Sequence, residues 1–365
     1  MYFQLIASHN FEEIKPAWAK LHNSLEAPCI FYHPLFLQGT SNLLVRNRPS
    51  HMVLGYKDDN LIFGLPCTIR NRGTGGIVSY FYHPPHEGWD HLEPLDQTKD
   101  LTATRYLIRD CKKIFGWDLF VADHTTSRVA QLFELYCSTN RAFTRNSFKC
   151  PYKLLPPDSS DLTTSLSKHF RTNIRQDIKR AKDLGITFVA VRSQAEMAFS
   201  INNLIALHEL RSDSTGRSSR FTAESQAYHR RLAELSVIFP GIVSIFELRL
   251  ADTVIASLYG FCHHHRFYFY QCGIETGYTR LSLGNLLIYN TMSYLIDNGV
   301  RIFDFLRGTE DYKFKWTDTL FQDYFIMSSH SRCGKFYLEY DRWRRAIKRY
   351  GKKVGTMAWF SRRDH

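Results

Sequence analysis

The sequence lacks the short motifs by which many enzyme classes are recognised. It contains no P-loop, no G-x-G-x-x-G fingerprint and no Ser/His/Asp nucleophile motif. Its eight cysteines are scattered and none forms a C-x-x-C pair, so neither a zinc site nor a disulfide framework is indicated. The three consecutive histidines at 263–265 would point to opposite faces of a strand, which is a poor arrangement for binding one ion. We therefore expect no metal centre.

The sequence also lacks long apolar runs, and it has fewer acidic than basic residues. No stretch of about 18 apolar residues exists, and residues 1–15 lack the basic and apolar segments of a signal peptide. Scattered thiols are typical of a reducing compartment, so we expect a cytoplasmic protein. Lysine and arginine total 47 against 35 acidic residues, a net charge of +12. This excess favours anionic partners such as a phosphate-rich cofactor, an acidic carrier protein, nucleic acid or lipid headgroups, although no nucleic-acid-binding motif is present.

What the chain does have is apolar content for two domains and an order of elements that occurs twice. Its 365 residues are 44% hydrophobic. In each half the periodicity predicts a strand, two helices, a hairpin, a strand, a helix, a strand, a helix and a final strand. A Pro-Pro-Asp-Ser-Ser linker at 156–160 separates the halves. We expect domains at 1–157 and 158–335 and a basic tail at 336–365.

Residues 265–316 carry the features most suggestive of a binding site. They predict an aromatic strand, a loop at 279–285, a helix and a second strand, and the amide groups at such a helix start can hold a phosphate. The element order of the second half resembles the Gcn5-related N-acetyltransferase (GNAT) fold. In that family a Q/R-x-x-G-x-G/A loop binds the pyrophosphate of coenzyme A. The loop RLSLGN at 280–285 is a departed version, because a leucine holds the first glycine position.

Further motifs narrow the resemblance. S-x-G-N-L-L followed by F-D-F-L-R-G-x-E-x-Y-K-x-x-W is similar to the BioF2-like branch of acetyltransferases, which is associated with cellulose and exopolysaccharide synthesis and related to the FemAB peptidyltransferases. The upstream S-x-x-x-R-x-x-x-R-x-x-x-K-R and L-H-E-L-R segments also resemble that branch, so the likeness covers residues 160–330. It implies an α/β fold of tandem GNAT-like domains, each a mixed central sheet flanked by helices. The first copy would be degenerate and would form a wall on the acceptor side.

The resemblance also implies an acyl donor, with acyl-CoA, and acetyl-CoA foremost, as co-substrate. The strand at 265–272 would splay from the strand at 301–306 and bind the pantetheine amides through its main chain. The loop amides and nearby cations would hold the phosphates. The residues implied to bind the donor are Gln271, Cys272, Arg280, Ser282, Leu283, Gly284, Asn285, Arg307 and Lys313. For Lys313 the alternative is that it orients its own loop.

Three residues are candidates for proton transfer. An attacking amine must lose a proton, and Asp304, at the end of the key strand, is the first candidate for the base or an acceptor clamp. Its alternative role is an ion pair that orders the loop. Tyr312 is expected to reprotonate the leaving thiolate, or else to be a core aromatic beneath Trp316. Glu247 is a further candidate base, with a strand-edge charge as its alternative.

The acceptor site is expected on the loop that follows the strand ending near residue 82. Loops of this kind often carry function, and tryptophan with carboxylates is a common arrangement for binding sugars. The candidate residues on this loop are His86, Trp89, Asp90 and His91; Arg211, from the other side of the cleft, and Arg175, from the stretch that joins the halves, are further candidates. The alternative for the loop is a surface segment stiffened by proline.

Five cations recur at helical spacing in the stretch that joins the halves. They are Lys168, Arg171, Arg175, Lys179 and Lys182. We interpret them either as a phosphate-recognising wall beside a cleft or as a solvated basic face. In the tail, Tyr337, Tyr340, Trp343 and Ile347 also recur at helical spacing. We favour docking of this stripe on the body of the protein over contact with an anionic membrane face.

These observations predict an N- or O-acyltransferase acting on a sugar, amino sugar or amino acid, including glycan precursors. The donor is acyl-CoA in the leading hypothesis and an acyl carrier protein in a variant of it. A second hypothesis is a FemAB-like transferase that uses aminoacyl-tRNA, which the charge of +12 would suit. A third is a non-catalytic subunit of a polysaccharide synthase. The expected location is the cytoplasm, with the inner face of the membrane as a peripheral site.

Overall fold

The computed structural model describes residues 1–41, 50–72, 78–82, 88–137, 143–214, 222–278 and 280–361. The strands of the first half are β1 (Tyr2–Ala7), β2 (Ser50–Lys57), β3 (Asn60–Arg72), β4 (Val78–Tyr82), β5 (Leu95–Asp96), β6 (Leu119–Thr125) and β7 (Phe143–Leu154). Those of the second half are β8 (Ile186–Val191), β9 (Val243–Leu250), β10 (Thr253–His263), β11 (Arg266–Ile274), β12 (Ile302–Asp304) and β13 (Leu320–Ser329).

Nine α-helices lie in these described ranges. The first four are α1 (Phe11–Ser24), α2 (Pro34–Ser41), α3 (Thr102–Phe115) and α4 (Ser127–Cys137). The others are α5 (Lys168–Asp183), α6 (Gln194–Ser214), α7 (Ala223–Leu235), α8 (Leu283–Asp297) and α9 (Arg332–Ser361). None of the described helices is long and apolar enough to cross a membrane.

The observed order of elements confirms the expected α/β fold and its internal repeat. The first half has the order β1, α1, α2, β2 to β4, α3, β6, α4 and β7. The second half repeats it as β8, α6, α7, β9 to β11, α8, β12, a short 3-10 helix at Lys313–Lys315 and β13. Helix α5 joins the two halves. One mixed sheet runs through the molecule in the order β1-β2-β3-β4-β6-β13-β7-β12-β11-β10-β9-β8, with helices packed against it.

The two halves exchange their last strands. Strand β13, from the second half, lies antiparallel between β6 and β7, and β7 pairs with β12 of the second half. Each half therefore supplies the strand that completes the sheet of the other. The centre of the sheet, where β6, β13, β7 and β12 are neighbours, brings residues from both halves into contact.

Two large apolar cores flank this sheet. One contains Trp18, Phe31, Trp89 and side chains of α6 and α7, and spans both halves. The other lies under α8, where Leu286, Leu287 and Met292 pack against Phe303. Helix α8 is apolar on most of its surface because it is covered by both the sheet and α5.

Two helices begin with irregular local geometry. Asn10 precedes α1 but makes no capping hydrogen bond through its side chain. The stretch from residue 99 opens as a 3-10 turn, Lys99–Leu101, with Asp100 and Leu101 at positive φ, so α3 begins at Thr102.

The tail docks through a different face from the one expected. In α9, Leu338 is buried and Tyr337 is packed against the same small core, whereas Tyr340, Trp343 and Ile347 are exposed. Gly334 allows the close approach of this helix, because a Cβ there would lie 2.3 Å from the carbonyl oxygen of Asp118.

Candidate active site

The candidate site opens where β11 and β12 diverge. The two strands pair in parallel only over Arg266–Ile302, Phe267–Phe303 and Tyr268–Asp304. From residue 269 to 274, β11 continues along β10 with no described strand on its other side. This free stretch, which we call the β11 edge, leaves main-chain groups available to an extended ligand, as the predicted splay requires.

The start of α8 lies beside the far end of the β11 edge. A Cβ on Gly284 would come within 2.9 Å of Ile274 Cδ1, so the glycine brings the helix close to the strand. Among the described residues, no acceptor is bound to the amides of Gly284 and Asn285 in the first turn. Unpaired amides at a helix start favour anions, so these two amides are the groups of the expected loop that could bind a phosphate.

Helix α5 occupies the neighbouring groups of that loop. Asp177 accepts hydrogen bonds from the main chain and side chain of Ser282, and Arg180 donates to the carbonyl of Arg280 at 3.0 Å. Ser282 was expected to donate a hydrogen bond to a phosphate, but its amide and its hydroxyl donate to Asp177 instead. The Arg280 side chain itself is exposed.

A cluster of four predicted residues lies along the β11 edge and the turn that follows β12. Arg211, at the end of α6, donates a hydrogen bond to the Cys272 thiol and lowers its pKa, although burial has the larger effect and raises it. Tyr312 lies close to Cys272 and Arg211. Burial, followed by the nearby Cys272 and Glu310, raises the pKa of Tyr312, so the phenol is protonated at neutral pH. We call Arg211, Cys272, Tyr312 and Lys313 the cleft cluster.

Lys313 orients the turn through contacts of its side chain with Arg307 and Glu310. Its buried ammonium donates to the carbonyl of Arg307 at 2.8 Å and pairs with Glu310 Oε2 at 3.0 Å. Gly308 makes this possible: its φ is 122°, and a Cβ there would lie 2.3 Å from Glu310 Oε2. Of the two roles considered for Lys313, the geometry gives loop orientation. Gln271 likewise bonds its own strand, accepting from the amide of Cys272 at 3.2 Å.

Asp304 lies at the apex of the splay but is fully buried. Its Oδ2 is 3.1 Å from His91 Nε2 and 3.7 Å from Arg266, and its Oδ1 accepts from the amide of Leu306 at 2.8 Å. His91 also donates to Asp323 at 2.8 Å. Burial opposes both charges, yet the two carboxylates raise the pKa of His91 well above its usual value, and His91 and Arg266 lower that of Asp304.

A second set of contacts extends this network. The amide of Arg307 donates to Asp90 Oδ2 at 3.1 Å, and its guanidinium contacts His124 and lies 3.5 Å from Asp90 Oδ1. Burial raises the pKa of Asp90 to about 6 against the opposing effect of Arg307. Burial, with Arg307 and His91 nearby, lowers the pKa of His124 to about 3. Arg307 therefore binds the protein interior, and is turned away from the donor phosphates that the resemblance implied.

We call these residues the junction network, because they come from the loop at 88–92, from β6, β11, β12 and β13, and from the turn after β12. Its members are Asp90, His91, His124, Arg266, Asp304, Arg307 and Asp323. Two trios in this region, His91 with Cys150 and Asp323 and Asp90 with His124 and Asp323, have ligand atoms within 4.8 Å of one another. The three carboxylates are nevertheless matched by two guanidinium groups and the His91 imidazolium, so no metal is needed for charge balance.

The backbone is strained at three points of this network. His91, His124 and Leu306 all have φ between 48° and 55°, a conformation that costs non-glycine residues free energy. The hydrogen bond from Leu306 to Asp304 fixes one of these turns. The network thus holds the turn that leads to Tyr312 and Lys313.

Other predicted residues lie away from the cleft cluster. Trp89, expected to bind a sugar, is buried and stacks on Phe31 at 5.9 Å, and Asp90 and His91 are in the junction network. Glu247 is buried and pairs with Arg249. From the strand register it lies on the order of 20 Å from Asp304, across three strand spacings and four residues. His86 falls outside the described residues.

Arg175 lies on the outer face of α5. Phe170, Ile174 and Ala181 of this helix are buried, and the basic residues occupy the opposite side. None of the five cations is in an ion pair with a described residue. The basic face therefore points to solvent and does not line the opening.

Sequence reasoning missed Glu310, His124 and Asp323. Glu310 was recoverable, because it lies inside the G-x-E-x-Y-K motif and three residues before Lys313. His124 and Asp323 carry no local signal, since their roles depend on contacts between strands that are far apart in the chain.

The three adjacent histidines, which we expected not to bind a metal, lie at the end of β10 and in the turn that follows. His264 and His265 form the β10–β11 turn, and both have positive φ. His263 is packed among His22 and His33, with ring centroids 5.2 to 5.8 Å apart. Burial lowers the pKa of these three, to about 4 for His22 and about 3 for His33 and His263. We call them the histidine cluster.

Comparison with known proteins agrees with this architecture. Residues 168–314 match the acetyltransferase (GNAT) domain family. The match runs from α5 to the turn that follows β12, so the similarity to this domain family falls in the second half. No curated protein matches the sequence.

Solved structures share the fold over almost the whole chain. A conserved protein of unknown function from Bacteroides thetaiotaomicron VPI-5482 is 12% identical, with a TM-score of 0.56 over 90% of this chain and 99% of that one. FemX is 9% identical, with a TM-score of 0.58 over 89% and 97%. Identities this low establish a common fold and leave activity open.

Proposed function

We propose that the protein is an acyltransferase that moves an acyl group, foremost acetyl, from coenzyme A to an amine or hydroxyl of a sugar, amino sugar or amino acid. The observation that carries the proposal is the placing of a protonated Tyr312 beside the β11 edge, with the free amides of Gly284 and Asn285 at its far end. The edge suits the amides of pantetheine, and the helix start suits pyrophosphate.

The thioester supplies an activated carbonyl, and the protein supplies binding and proton transfer. The acceptor nitrogen or oxygen bonds to the carbonyl carbon, and the C–S bond breaks. Tyr312 gives its phenolic proton to the leaving sulfur, and the carboxylate of Glu310, which lies close to it, takes the proton that the acceptor loses. A proton returned through solvent from Glu310 to Tyr312 restores both groups. In this proposal Asp304 is a positioning residue.

The direct test is native mass spectrometry of the purified chain with a panel of acyl-CoAs, followed by thiol release in the presence of amino sugars and amino acids. We expect bound donor, and release that depends on the acceptor. Tyr312→Phe should retain donor binding and lose release, whereas Tyr340→Phe, an exposed tyrosine on α9, is the matched control. If the chain neither binds nor hydrolyses any acyl-CoA of the panel, the proposal is wrong.

A second function is favoured by the basic face of α5. Its five cations point to solvent and have no carboxylate partner among the described residues, which suits an extended polyanion such as an aminoacyl-tRNA donor. Filter binding of charged tRNA should then weaken steeply with salt. Arg175→Glu with Lys179→Glu should abolish it, and Lys20→Glu with Lys57→Glu, two exposed cations elsewhere, should not. Equal effects of both pairs would indicate only nonspecific attraction.

A further inference from the structure

Helix α9 carries an exposed stripe of aromatic and apolar side chains. Phe336, Tyr340, Trp343 and Ile347 are 78%, 50%, 63% and 50% exposed. Their spacing of four, three and four residues places all of them on one narrow face of the helix. Gly334, Leu338 and Asp341, which are buried, lie on the opposite face, against the body of the protein. The stripe therefore points directly away from the fold.

Cations border this stripe. Arg332, Lys335 and Arg342 lie along one side of it and Arg344 along the other, and all four are exposed. In sequence the helix carries nine lysine and arginine residues and two acidic ones, so 9 − 2 = +7 of the total charge of +12 belongs to these 30 residues. Aromatic side chains between basic flanks are the composition of helices that lie in the interface of an anionic bilayer.

We propose that α9 binds the surface of a membrane rich in anionic lipid, with the stripe inserted at the level of the headgroups. A helix of this kind lies in the plane of the interface, in agreement with the finding that no described helix can cross a bilayer. Tryptophan and tyrosine suit this depth, because their rings combine an apolar body with a polar group.

A second copy of the chain fits the stripe less well. Pairing through four side chains would bury about 500 Å² on each partner, below the roughly 800 Å² of a stable interface. It would also bring the basic flanks of two identical helices together, and like charges in contact oppose association. An anionic surface removes that repulsion.

The test is flotation of the full chain with vesicles of phosphatidylcholine alone and of phosphatidylcholine mixed with phosphatidylglycerol at about three to one. We expect binding to the mixed vesicles only, weakened in 1 M salt, where the screening length falls to about 3 Å. Phe336→Ser combined with Trp343→Ser should reduce the bound fraction at least tenfold. Phe199→Ser, which removes an aromatic ring that is 64% exposed on α6, should leave binding unchanged.

Two further measurements keep the outcomes distinct. Because the stripe points to solvent, the double variant should unfold at the same urea concentration as the parent, which excludes misfolding as the cause of lost binding. Absence of binding by the parent chain, or equal binding by the double variant, would overturn the proposal. So would sedimentation of a dimer that the double variant dissolves while vesicle binding persists, because that result assigns the stripe to a second copy.

Discussion

The cleft cluster and the junction network lie on either side of the same turn, and they use similar residue types for different purposes. The cleft cluster has a partly exposed tyrosine, a cysteine and an arginine beside an open strand edge. The junction network has three carboxylates held by three cations in a buried space between the halves. Access to ligand, and not the presence of titratable groups, separates a candidate site from the structure that supports it.

The difference also explains why the turn between them is strained. The junction network holds Leu306 at positive φ through Asp304, while Gly308 and Lys313 fix the following residues. Buried ion pairs are costly to break from one side and fix geometry well. We infer that the network positions Tyr312, and that the two regions respond differently to substitution.

The largest effect is expected from Asp304→Asn. Removing this charge leaves the buried His91 imidazolium with Asp323 alone, and breaking a buried pair from one side costs about 3 kcal/mol or more. Urea unfolding should show this loss. Asp252→Asn, in the exposed β9–β10 turn, is the control and should change stability by less than about 0.5 kcal/mol. Unchanged stability with lost turnover would instead make Asp304 catalytic.

Tyr312→Phe should have the opposite profile. Loss of the phenolic proton donor is expected to lower kcat about 100-fold, because that is the usual contribution of a positioned acid. The urea midpoint should stay near that of the parent, since the ring and its contact with Phe305 remain. The measurement is steady-state kinetics beside unfolding of the same preparation. A shifted midpoint with normal kcat would place Tyr312 in the structural group.

The histidine cluster predicts that the stability of the fold falls as pH is lowered, and His91 has the opposite dependence. For His22, His33 and His263 the folded pKa lies below the unfolded value of about 6.5, so the unfolded chain binds more protons as pH falls. Stability should be lost between pH about 6.5 and 4, by up to roughly 1.4 kcal/mol per unit and per group. His91 has a raised pKa, so its contribution is present at low pH and lost as pH rises through that value.

Urea unfolding across this pH range, with His33→Gln as the variant, separates the two. The variant should flatten the acid side of the profile and leave the alkaline side unchanged. A profile identical to that of the parent would remove His33 from the cause.

The smallest effect concerns the start of α8. Gly284→Val should raise the KM for acyl-CoA severalfold, because its side chain would displace Ile274 at the end of the β11 edge. Gly284→Ala is the graded control: its Cβ meets only the flexible tip of Ile274, so a smaller rise is expected. Equal KM values for all three chains would show that the α8 amides do not bind the donor.

Sequence patterns were sufficient for the order of elements, because each amphipathic segment carries its own periodicity. The cleft residues Tyr312, Cys272 and Arg211 were also predicted, through motifs in the second half. The burial of Asp304 and Trp89 was not predicted, because it depends on contacts between segments that are distant in the sequence. His91 and Asp304, for example, are in contact although they are more than 200 residues apart. The strand exchange likewise leaves no local signal, since β7 and β13 resemble ordinary final strands.

The exchange of final strands has a consequence for synthesis of the protein. Until β12 and β13 emerge from the ribosome, β7 lacks both partners that it has in the finished sheet, and until β13 emerges β6 has no neighbour on one side. Such exposed edges invite pairing with other nascent chains. We expect the first half to stay protected or only loosely structured until about the last tenth of the chain is being synthesised. The native sheet can therefore form only when the chain is nearly complete, despite its repeated halves.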